Sequence, residues 1–120
     1  MSTATQSASA GAELADVREL FREYVAAVRE HFGERVTQIW LYGSAARGDW
    51  TPESDIDVLV LLSREEPDDM EWLVRTAYRM GLSERHLLLQ PVMLTQDEFD
   101  QLLARERRFA REVVEQGIAA

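Results

Sequence analysis

The sequence predicts an α/β (α+β) protein, with a small mixed sheet of about three strands that helices cover mainly on one face. Short apolar segments at residues 36–42, 55–62 and 86–94 carry the β-branched, aromatic and aliphatic residues typical of strands. Segments with helical apolar spacing lie before, between and after them, at residues 12–32, 70–80 and 95–117. The two periodicities together indicate helices packed on one sheet.

Length and composition limit the chain to one domain. A chain of 120 residues can bury a single core, which we assign to residues 12–120. Residues 1–11 are rich in Ser, Thr and Ala and predict a disordered N-terminal tail. Cysteine is absent, which excludes a disulfide framework. Because the chain has neither an apolar run near ~20 residues nor a signal-peptide pattern, we expect no membrane association and a cytoplasmic location.

The first two helices have recognisable ends. The apolar stripe of the first helix runs to Phe32, and Gly33 is its expected stop. The second helix has Asp68 or Asp69 as a candidate N-cap and Gly81 as its expected end. The charged segment 63–69 predicts a solvated linker.

Trp72 falls off the apolar stripe of the second helix. Its position predicts either a partly exposed side chain or a residue of a partner surface, and we favour the first.

The third strand and the last helix are marked by proline and by a capping pattern. Pro91 cannot donate a ladder hydrogen bond, which predicts an edge or a bulge at that point of a strand starting at His86. Residues 95–98 form a capping box, with Thr95 and Glu98 as its two members. We expect the helix to run to Gly117, with residues 118–120 as a short tail.

The stretch from residue 40 to residue 62 carries the chemistry. Gly43 and Ser44 interrupt the first strand, and Ser44 is a plausible N-cap for a turn of helix. Free backbone N–H groups at a helix start bind anions, and Gly43 lacks the Cβ that would keep a phosphate from the main chain. Arg47 adds a positive charge to this predicted phosphate site.

Two aspartates follow at the start of the next strand. Asp55 and Asp57 point to the same face if the strand begins there, with their Cα atoms about 7 Å apart. Two carboxylates beside an apolar strand are costly unless a cation lies between them, and a divalent cation is the natural candidate. The alternative is a tight turn with two solvated aspartates. A phosphate site next to such a pair indicates phosphoryl or nucleotidyl transfer.

The run from Gly43 to Gly48, followed by residues 54–58 (Ser-Asp-Ile-Asp-Val), resembles the signature of the nucleotidyltransferase superfamily typified by DNA polymerase β. It resembles more closely the small minimal nucleotidyltransferase (MNT) proteins. The resemblance implies a polymerase-β-like palm and transfer of AMP from ATP with a two-metal Mg²⁺ site. It also implies that Asp55 and Asp57 are catalytic and bind the metal, and that phosphate is bound by Gly43, Ser44 and Arg47.

The resemblance implies a third carboxylate on the next long strand, and here the sequence departs from the pattern. The order of elements puts this position at Gln90, or two residues earlier at Leu88. Neither is acidic, so the second metal loses a charged ligand. Asp97 is the nearby acidic residue that remains to be considered.

The resemblance also implies a partner, because this chain has no room for a second domain that binds the acceptor. A HEPN-type protein or self-association would supply the acceptor site, as in toxin–antitoxin pairs in which the antitoxin adenylylates the toxin. One alternative is a non-catalytic module that binds nucleotide and partner. Another is a subunit of a nucleotidyltransferase acting on a small molecule such as an antibiotic.

Charge and one aromatic residue bear on what else the chain binds. Thirteen basic and 22 acidic residues give a formal net charge of −9. Nucleic-acid affinity rests on cationic contacts with phosphates, so we expect no nucleic-acid binding by the chain alone. Trp50, in the motif loop, is expected either to pack in the core or to stack on a base.

Overall fold

A computed structural model describes residues 12–120, and the predicted tail at residues 1–11 lies outside the described residues. The α-helices and strands are α1 (Leu14–Phe32), β1 (Val36–Tyr42), α2 (Ser44–Arg47), β2 (Ile56–Leu62), α3 (Asp69–Ala77), β3 (Leu89–Thr95), α4 (Gln96–Ala104), α5 (Arg108–Gln116) and β4 (Ile118–Ala119). A 3₁₀ turn (Gly33–Arg35) follows α1 and a π-helical turn (Tyr78–Ser83) follows α3. The α+β class predicted from the sequence is confirmed. Each helix described within residues 12–120 is too short or too polar to span a bilayer.

The sheet has four strands in the order β3-β2-β1-β4, where three were predicted. The central strand β2 runs antiparallel to β1 and parallel to β3, and β4 pairs antiparallel with β1. The fourth strand occupies part of the predicted C-terminal tail, and the Ala120 N–H donates to the carbonyl of Ile39 at 2.9 Å. Two residues are too few to show a strand periodicity in the sequence.

Helices pack on both faces of the sheet, which corrects the expectation that they lie mainly on one face. Alternate side chains of β2 belong to two core clusters. Its even-numbered residues pack with α1 and α3, whereas Leu59 and Leu61 pack with α4 and α5. Residues 58–62 of β2 are all fully buried. An unbroken apolar run is the pattern of a strand buried on both sides, and the sequence carried that signal.

The first helix forms as predicted and ends at Gly33. Its buried residues form a single stripe: Val17, Leu20, Phe21, Tyr24, Val28 and Phe32. The Tyr24 hydroxyl donates to the carbonyl of Leu73 at 2.8 Å, which joins α1 to α3. Burial raises the pKa of Tyr24, so this hydroxyl stays protonated as the donor.

Asp69 is buried at the start of α3, which corrects the expectation that segment 63–69 is wholly solvated. The Asp69 carboxylate accepts two hydrogen bonds from the Arg35 guanidinium, at 2.8 and 3.0 Å. It also accepts one from the N–H of Glu66 at 2.7 Å. A buried charge needs such partners, and the partner comes from a turn more than 30 residues away in the sequence. Asp68 is the N-cap residue but makes no side-chain cap.

The second helix continues beyond its α-helical part as the π-helical turn, with Gly81 inside the turn instead of at its end. A Cβ on Gly81 would lie 2.6 Å from the carbonyl oxygen of Leu87, so a close chain approach explains this glycine better than a helix stop does.

His86 has a positive φ of 58° and cannot begin the third strand, which starts at Leu89. Pro91 lies in the edge strand β3, as predicted.

The predicted last helix is two helices. The break falls at residues 105–107, where Glu106 adopts a positive φ of 54°. Glu106 and Arg107 occupy the positions where the apolar stripe of α4 would continue, so the stripe itself is interrupted. The capping box is confirmed, because the Thr95 hydroxyl accepts from the Glu98 N–H at 3.1 Å and the Glu98 carboxylate accepts from the Thr95 N–H at 2.8 Å.

Trp72 is half-buried, as favoured from the sequence. Its ring stacks on His31 with ring centroids 4.0 Å apart and planes 8° from parallel. Phe32 meets the same ring edge-on at 5.4 Å. This aromatic cluster seals the packing of α1 against α3.

Candidate active site

The turn between β1 and α2 shapes the first part of the site. Gly43 has a φ of 73° and is itself the N-cap, so the assignment of that role to Ser44 was wrong. Ser44 already has helical geometry as the first residue of α2. The Gly43 carbonyl accepts from the N–H groups of Ala46 and Arg47, both at 3.1 Å. The N–H groups of Ser44 and Ala45 belong to the first turn and have no helical acceptor, which suits them to an anion.

Asp57 lies directly against Gly43. The register of β1 and β2 pairs Tyr42 with Asp57, and a Cβ on Gly43 would overlap the Oδ2 atom of Asp57. The sequence predicted that Gly43 leaves room for a phosphate. The structure adds that Gly43 leaves room for the Asp57 carboxylate itself, and this contact alone already requires glycine at the position.

The electrostatics around Asp57 favour a bound cation. Burial raises the pKa of Asp57, the negative charge of Asp55 raises it further, and Arg47 lowers it. Asp55 is exposed, immediately before β2, while Asp57 is half-buried. The Arg47 guanidinium forms its ion pair with Asp49, at 3.6 Å. Arg47 therefore does not compensate for burial and for the repulsion between Asp57 and Asp55. A divalent cation between the two aspartates would stabilise both ionised carboxylates.

Gln90 is the neighbour of Asp57 on the other side. The parallel register of β2 and β3 pairs Asp57 with Gln90, and paired residues of adjacent strands point to the same face. Leu88 lies opposite Asp55, since the Ile56 N–H donates to the carbonyl of Leu88 at 2.8 Å. Residues 12–120 contain no group of three or more acidic, His or Cys side chains that could hold a metal. The site thus has two carboxylates and an amide.

Asp97 lies at the wrong end of the sheet to complete the site. It follows the C-terminal end of β3, which is roughly 17 Å along the strand from Gln90. Glu98 is occupied by the capping box.

Tyr42 extends the row of paired residues to a third strand. Its ring packs edge-on against Phe109, with centroids 5.3 Å apart. Burial, and then the charge of Asp57, raise the pKa of Tyr42 to about 12. A neutral Tyr42, Asp57 and Gln90 therefore follow one another across β1, β2 and β3. This row was not visible in the sequence, because it depends on the strand register.

Trp50 supports the motif loop from inside the protein. Its side chain is only 7% exposed and belongs to the core. The indole N–H donates to the carbonyl of Ser54 at 3.1 Å. Of the two roles considered for Trp50, stacking on a base is therefore excluded in this conformation. The residue instead anchors the loop that ends at Asp55.

A family comparison agrees with this site. Residues 21–116 match the model of the nucleotidyltransferase domain, and the match includes every residue of the candidate site. The chain belongs to the nucleotidyltransferase family. The resemblance seen in the motif is thereby confirmed over most of the chain.

Two proteins of Methanocaldococcus jannaschii, both named for protein adenylyltransferase activity, are similar to this nucleotidyltransferase. One is 48% identical over 40 residues, which are 33% of this chain and 40% of the relative. The other is 29% identical over 80 residues, which are 65% of this chain and 79% of the relative. The match to the first relative therefore spans less than half of that protein's length.

Solved structures share the fold of this nucleotidyltransferase. A Sulfolobus solfataricus protein described as a nucleotidyltransferase has a TM-score of 0.54 at 21% identity, covering 88% of this chain and 80% of its own. A toxin–antitoxin structure with AMP-PNP has a TM-score of 0.54 at 18% identity, covering 81% of this chain and 69% of the other. A variant of the MntA–HpeT toxin–antitoxin complex has a TM-score of 0.51 at 20% identity, covering 82% and 70%.

Proposed function

We propose that this protein transfers AMP from ATP to a hydroxyl group of a partner protein, with Asp55, Asp57 and the Gly43–Ser44 turn as its catalytic centre. The observation that carries the proposal is the contact of Asp57 with Gly43. It brings a carboxylate with a raised pKa to the start of a helix whose first N–H groups are free to bind an anion. A metal-binding group and a phosphate-binding group therefore lie side by side.

Asp55 and Asp57 would hold the Mg²⁺ ion that accompanies ATP. Carboxylate oxygens are preferred ligands of Mg²⁺, which is usually bound by one or two carboxylates together with substrate phosphates. When bound, the ion would neutralise phosphate charge and fix the orientation of the triphosphate. Ser44 and the N–H groups of the turn would bind the β- and γ-phosphates, with the Arg47 guanidinium as a second source of positive charge.

The transfer itself is a displacement at the α-phosphorus. The acceptor oxygen forms a bond to this phosphorus, the bond from phosphorus to the β-bridging oxygen breaks, and pyrophosphate leaves. The turn and Arg47 hold the departing pyrophosphate. The hydroxyl proton passes to water, because Gln90 beside Asp57 is an amide and cannot accept it as a base.

The comparisons support a protein acceptor. The similar Methanocaldococcus proteins are named for protein adenylyltransferase activity, and two structures with this fold are toxin–antitoxin complexes, one with AMP-PNP. We infer that the acceptor belongs to a HEPN-type partner and that the protein acts as an antitoxin.

The test is incubation with ATP labelled on the α-phosphate, Mg²⁺ and, as the partner, the protein encoded by the adjacent gene. Label should pass to the partner, and chelation of Mg²⁺ or the Asp55→Asn/Asp57→Asn double substitution should abolish this transfer. The Glu53→Gln variant, changed at an exposed position of the same loop, is the matched control and should behave as wild type. Transfer that persists in the double variant would show that the catalytic centre lies elsewhere.

The amide of Gln90 favours a second candidate function, a module that binds nucleotide and partner without transferring AMP. Its neighbour Asp57 would still hold the metal of the nucleotide, while a second metal would lack a charged ligand. Binding of ATP–Mg²⁺ without labelling of the partner, combined with neutralisation of the toxin, would select this function over catalysis.

A further inference from the structure

The loop between α2 and β2 brings Asp55 to the candidate site from outside the sheet. Asp55 is exposed and precedes the first residue of β2, so its carboxylate lacks the packing that holds the half-buried Asp57. A metal ligand has to be held within about 0.5 Å of its working position, and neighbouring groups supply that restraint. Another part of the chain must therefore fix the position of Asp55.

Residues 51–54 form a tight turn directly before Asp55. The Ser54 N–H donates to the Thr51 carbonyl at 2.8 Å, which closes a four-residue β-turn. Pro52 occupies the second position of this turn, where its fixed φ is favoured. The hydroxyl groups of Thr51 and Ser54 lie 3.1 Å apart and share a hydrogen bond. These bonds lie within the turn, so they shape it without fixing its place relative to the core.

Trp50 connects this turn to the core. Its side chain is 7% exposed and packs in the core cluster on the α1 side of the sheet. The indole N–H donates to the carbonyl of Ser54 at 3.1 Å, across the turn. That carbonyl belongs to the peptide group between Ser54 and Asp55. The indole bond therefore restrains the peptide group on the N-terminal side of Asp55.

The peptide group on the other side of Asp55 is held by the sheet. The Ile56 N–H donates to the carbonyl of Leu88 at 2.8 Å, and the Ile56 side chain is fully buried. Asp55 thus lies between two anchored peptide groups, although its own side chain is exposed. Strand pairing provides the second anchor, whereas the first depends on a single side-chain N–H group.

The start of the same loop is tied to the turn proposed to bind phosphate. The N–H groups of Gly48 and Asp49 donate to the carbonyl of Ser44, at 2.9 and 3.2 Å. Trp50 follows at once, so the loop is restrained at both ends. Its geometry then sets the separation between the N–H groups proposed to bind phosphate and the Asp55 carboxylate proposed to bind Mg²⁺.

We propose that Trp50 is a positioning residue for the metal, because its indole N–H holds the Ser54 carbonyl so that Asp55 can bind a divalent cation together with Asp57. The role rests on the proposed function, which assigns the cation to these two aspartates. A buried indole N–H needs an acceptor in any case. A Trp50 that only filled the core would, however, affect stability and leave the affinity for the metal unchanged.

Trp50→Phe and Trp40→Phe form a matched pair of variants. Each removes one indole N–H bond and keeps an aromatic ring, but the Trp40 indole donates to the Gln38 side chain at 2.7 Å, towards the start of β1. The probe is Mn²⁺ with an ATP analogue that has a methylene bridge between its α- and β-phosphates. Mn²⁺ takes the same oxygen ligands as Mg²⁺, and electron paramagnetic resonance measures its binding.

We expect Trp50→Phe to bind the Mn²⁺–analogue complex about tenfold more weakly than wild type, which is the lower end of the range for outer-shell partners of a metal site. Trp40→Phe should bind the complex as wild type does. Both substitutions remove packing and a hydrogen bond, so both should lower the melting temperature, and binding is compared well below both melting temperatures.

The two ways in which this experiment can fail are distinct. Equal binding by wild type and Trp50→Phe would show that Trp50 does not position Asp55, and the proposed function would stand. A wild type that does not bind the complex would overturn the proposed function and this role with it.

The indole N–H signals in the NMR spectrum of wild type provide a second test. The chain has three tryptophans, and Trp40→Phe and Trp72→Phe identify the signals of the other two. Addition of Mg²⁺ with the analogue should shift the Trp50 signal, because its acceptor carbonyl adjoins Asp55, and should leave the Trp40 signal in place. A Trp50 signal that does not respond while the complex binds would overturn the positioning role.

Discussion

Asp57 shows how a single residue can cost stability and serve function. Its pKa is raised above the usual 3.8, first by burial and then by the charge of Asp55. The fold therefore holds a proton at pH values where the unfolded chain has released it. Stability from this group falls as the pH rises from the usual value through the raised one, and stays lower above it. At neutral pH the ionised carboxylate works against the fold, and a cation bound at the proposed site would offset this cost.

We expect Asp57→Asn to raise the melting temperature of the nucleotide-free protein at pH 7, by about 2 °C. The same change should abolish the rise in melting temperature that ATP–Mg²⁺ produces in wild type. Thermal unfolding with and without ATP–Mg²⁺ measures both effects, with Glu53→Gln as the control. If ATP–Mg²⁺ raised the melting temperature of wild type and variant equally, Asp57 would not be a ligand of the proposed metal site.

Gly43 and Gly48 form a matched pair for testing the contact with Asp57. Both have positive φ, at 73° and 94°, but a Cβ would overlap Asp57 Oδ2 at Gly43 and meet nothing within 4 Å at Gly48. Alanine should cost about 1 kcal/mol through backbone strain at Gly48, which lies in the left-handed helical region, and more at Gly43, whose ψ of −154° lies in a region that essentially only glycine adopts. Only Gly43→Ala should also lose ATP–Mg²⁺ binding, measured by calorimetry, because the carboxylate must move. Equal nucleotide affinity in the two variants would contradict the proposed role of this contact.

At the scale of elements, the row of Tyr42, Asp57 and Gln90 across β1, β2 and β3 indicates where a third carboxylate can be introduced. Gln90 pairs with Asp57 and points to the same face, so Gln90→Asp would supply the third carboxylate that the resemblance implies on this strand. We expect it to raise the rate of AMP transfer by about 10²-fold, the scale of one catalytic group. The control is Leu88→Asp, which lies beside Asp55 instead. If both variants leave the rate of a slow enzyme unchanged, the third ligand does not belong on β3.

The ion pair of Asp69 and Arg35 ties the start of α3 to the turn before β1. Its side chains are 6% and 14% exposed, so removal of one partner leaves a nearly buried charge. We expect Asp69→Asn to reduce the free energy of unfolding by about 3 kcal/mol, and Asp68→Asn, at the exposed neighbour, to reduce it far less. Urea unfolding measures the difference.

The pH dependence of the difference in unfolding free energy between wild type and Asp69→Asn is a second test of the Asp69–Arg35 pair. Hydrogen bonds from Arg35 lower the pKa of Asp69 below the usual 3.8. The stabilisation is therefore complete above the usual value and is lost as the pH falls through the lowered one. The gap between wild type and Asp69→Asn should shrink on acidification below that range. A constant gap would mean that the carboxylate charge contributes nothing.

At the scale of the whole molecule, the net charge of −9 opposes binding to phosphate backbones. We expect mobility-shift measurements with tRNA or duplex DNA at physiological salt to show no binding tighter than the non-specific range of about 10⁻⁴ to 10⁻⁶ M. Nanomolar affinity would contradict this expectation and point to a nucleic-acid acceptor instead of a protein.

The sequence by itself determined the local chemistry of this nucleotidyltransferase. The strand–turn–helix at Gly43, the aspartates at the start of β2 and the capping box of α4 each depend on residues a few positions apart. Their geometry follows from backbone preferences that operate over such distances. The α+β class follows for the same reason, because each element shows its own periodicity.

Only the tertiary structure decided which of these elements meet. The overlap that Gly43 avoids, the pairing of Gln90 with Asp57 and the partner of Asp69 all join residues far apart in the sequence. The two-residue strand β4 exists only because β1 offers it a free edge. Such contacts are selected by the packing of the whole core and by strand register. A short segment of sequence does not show which distant residues will be in contact, whereas the register and packing of the folded chain do.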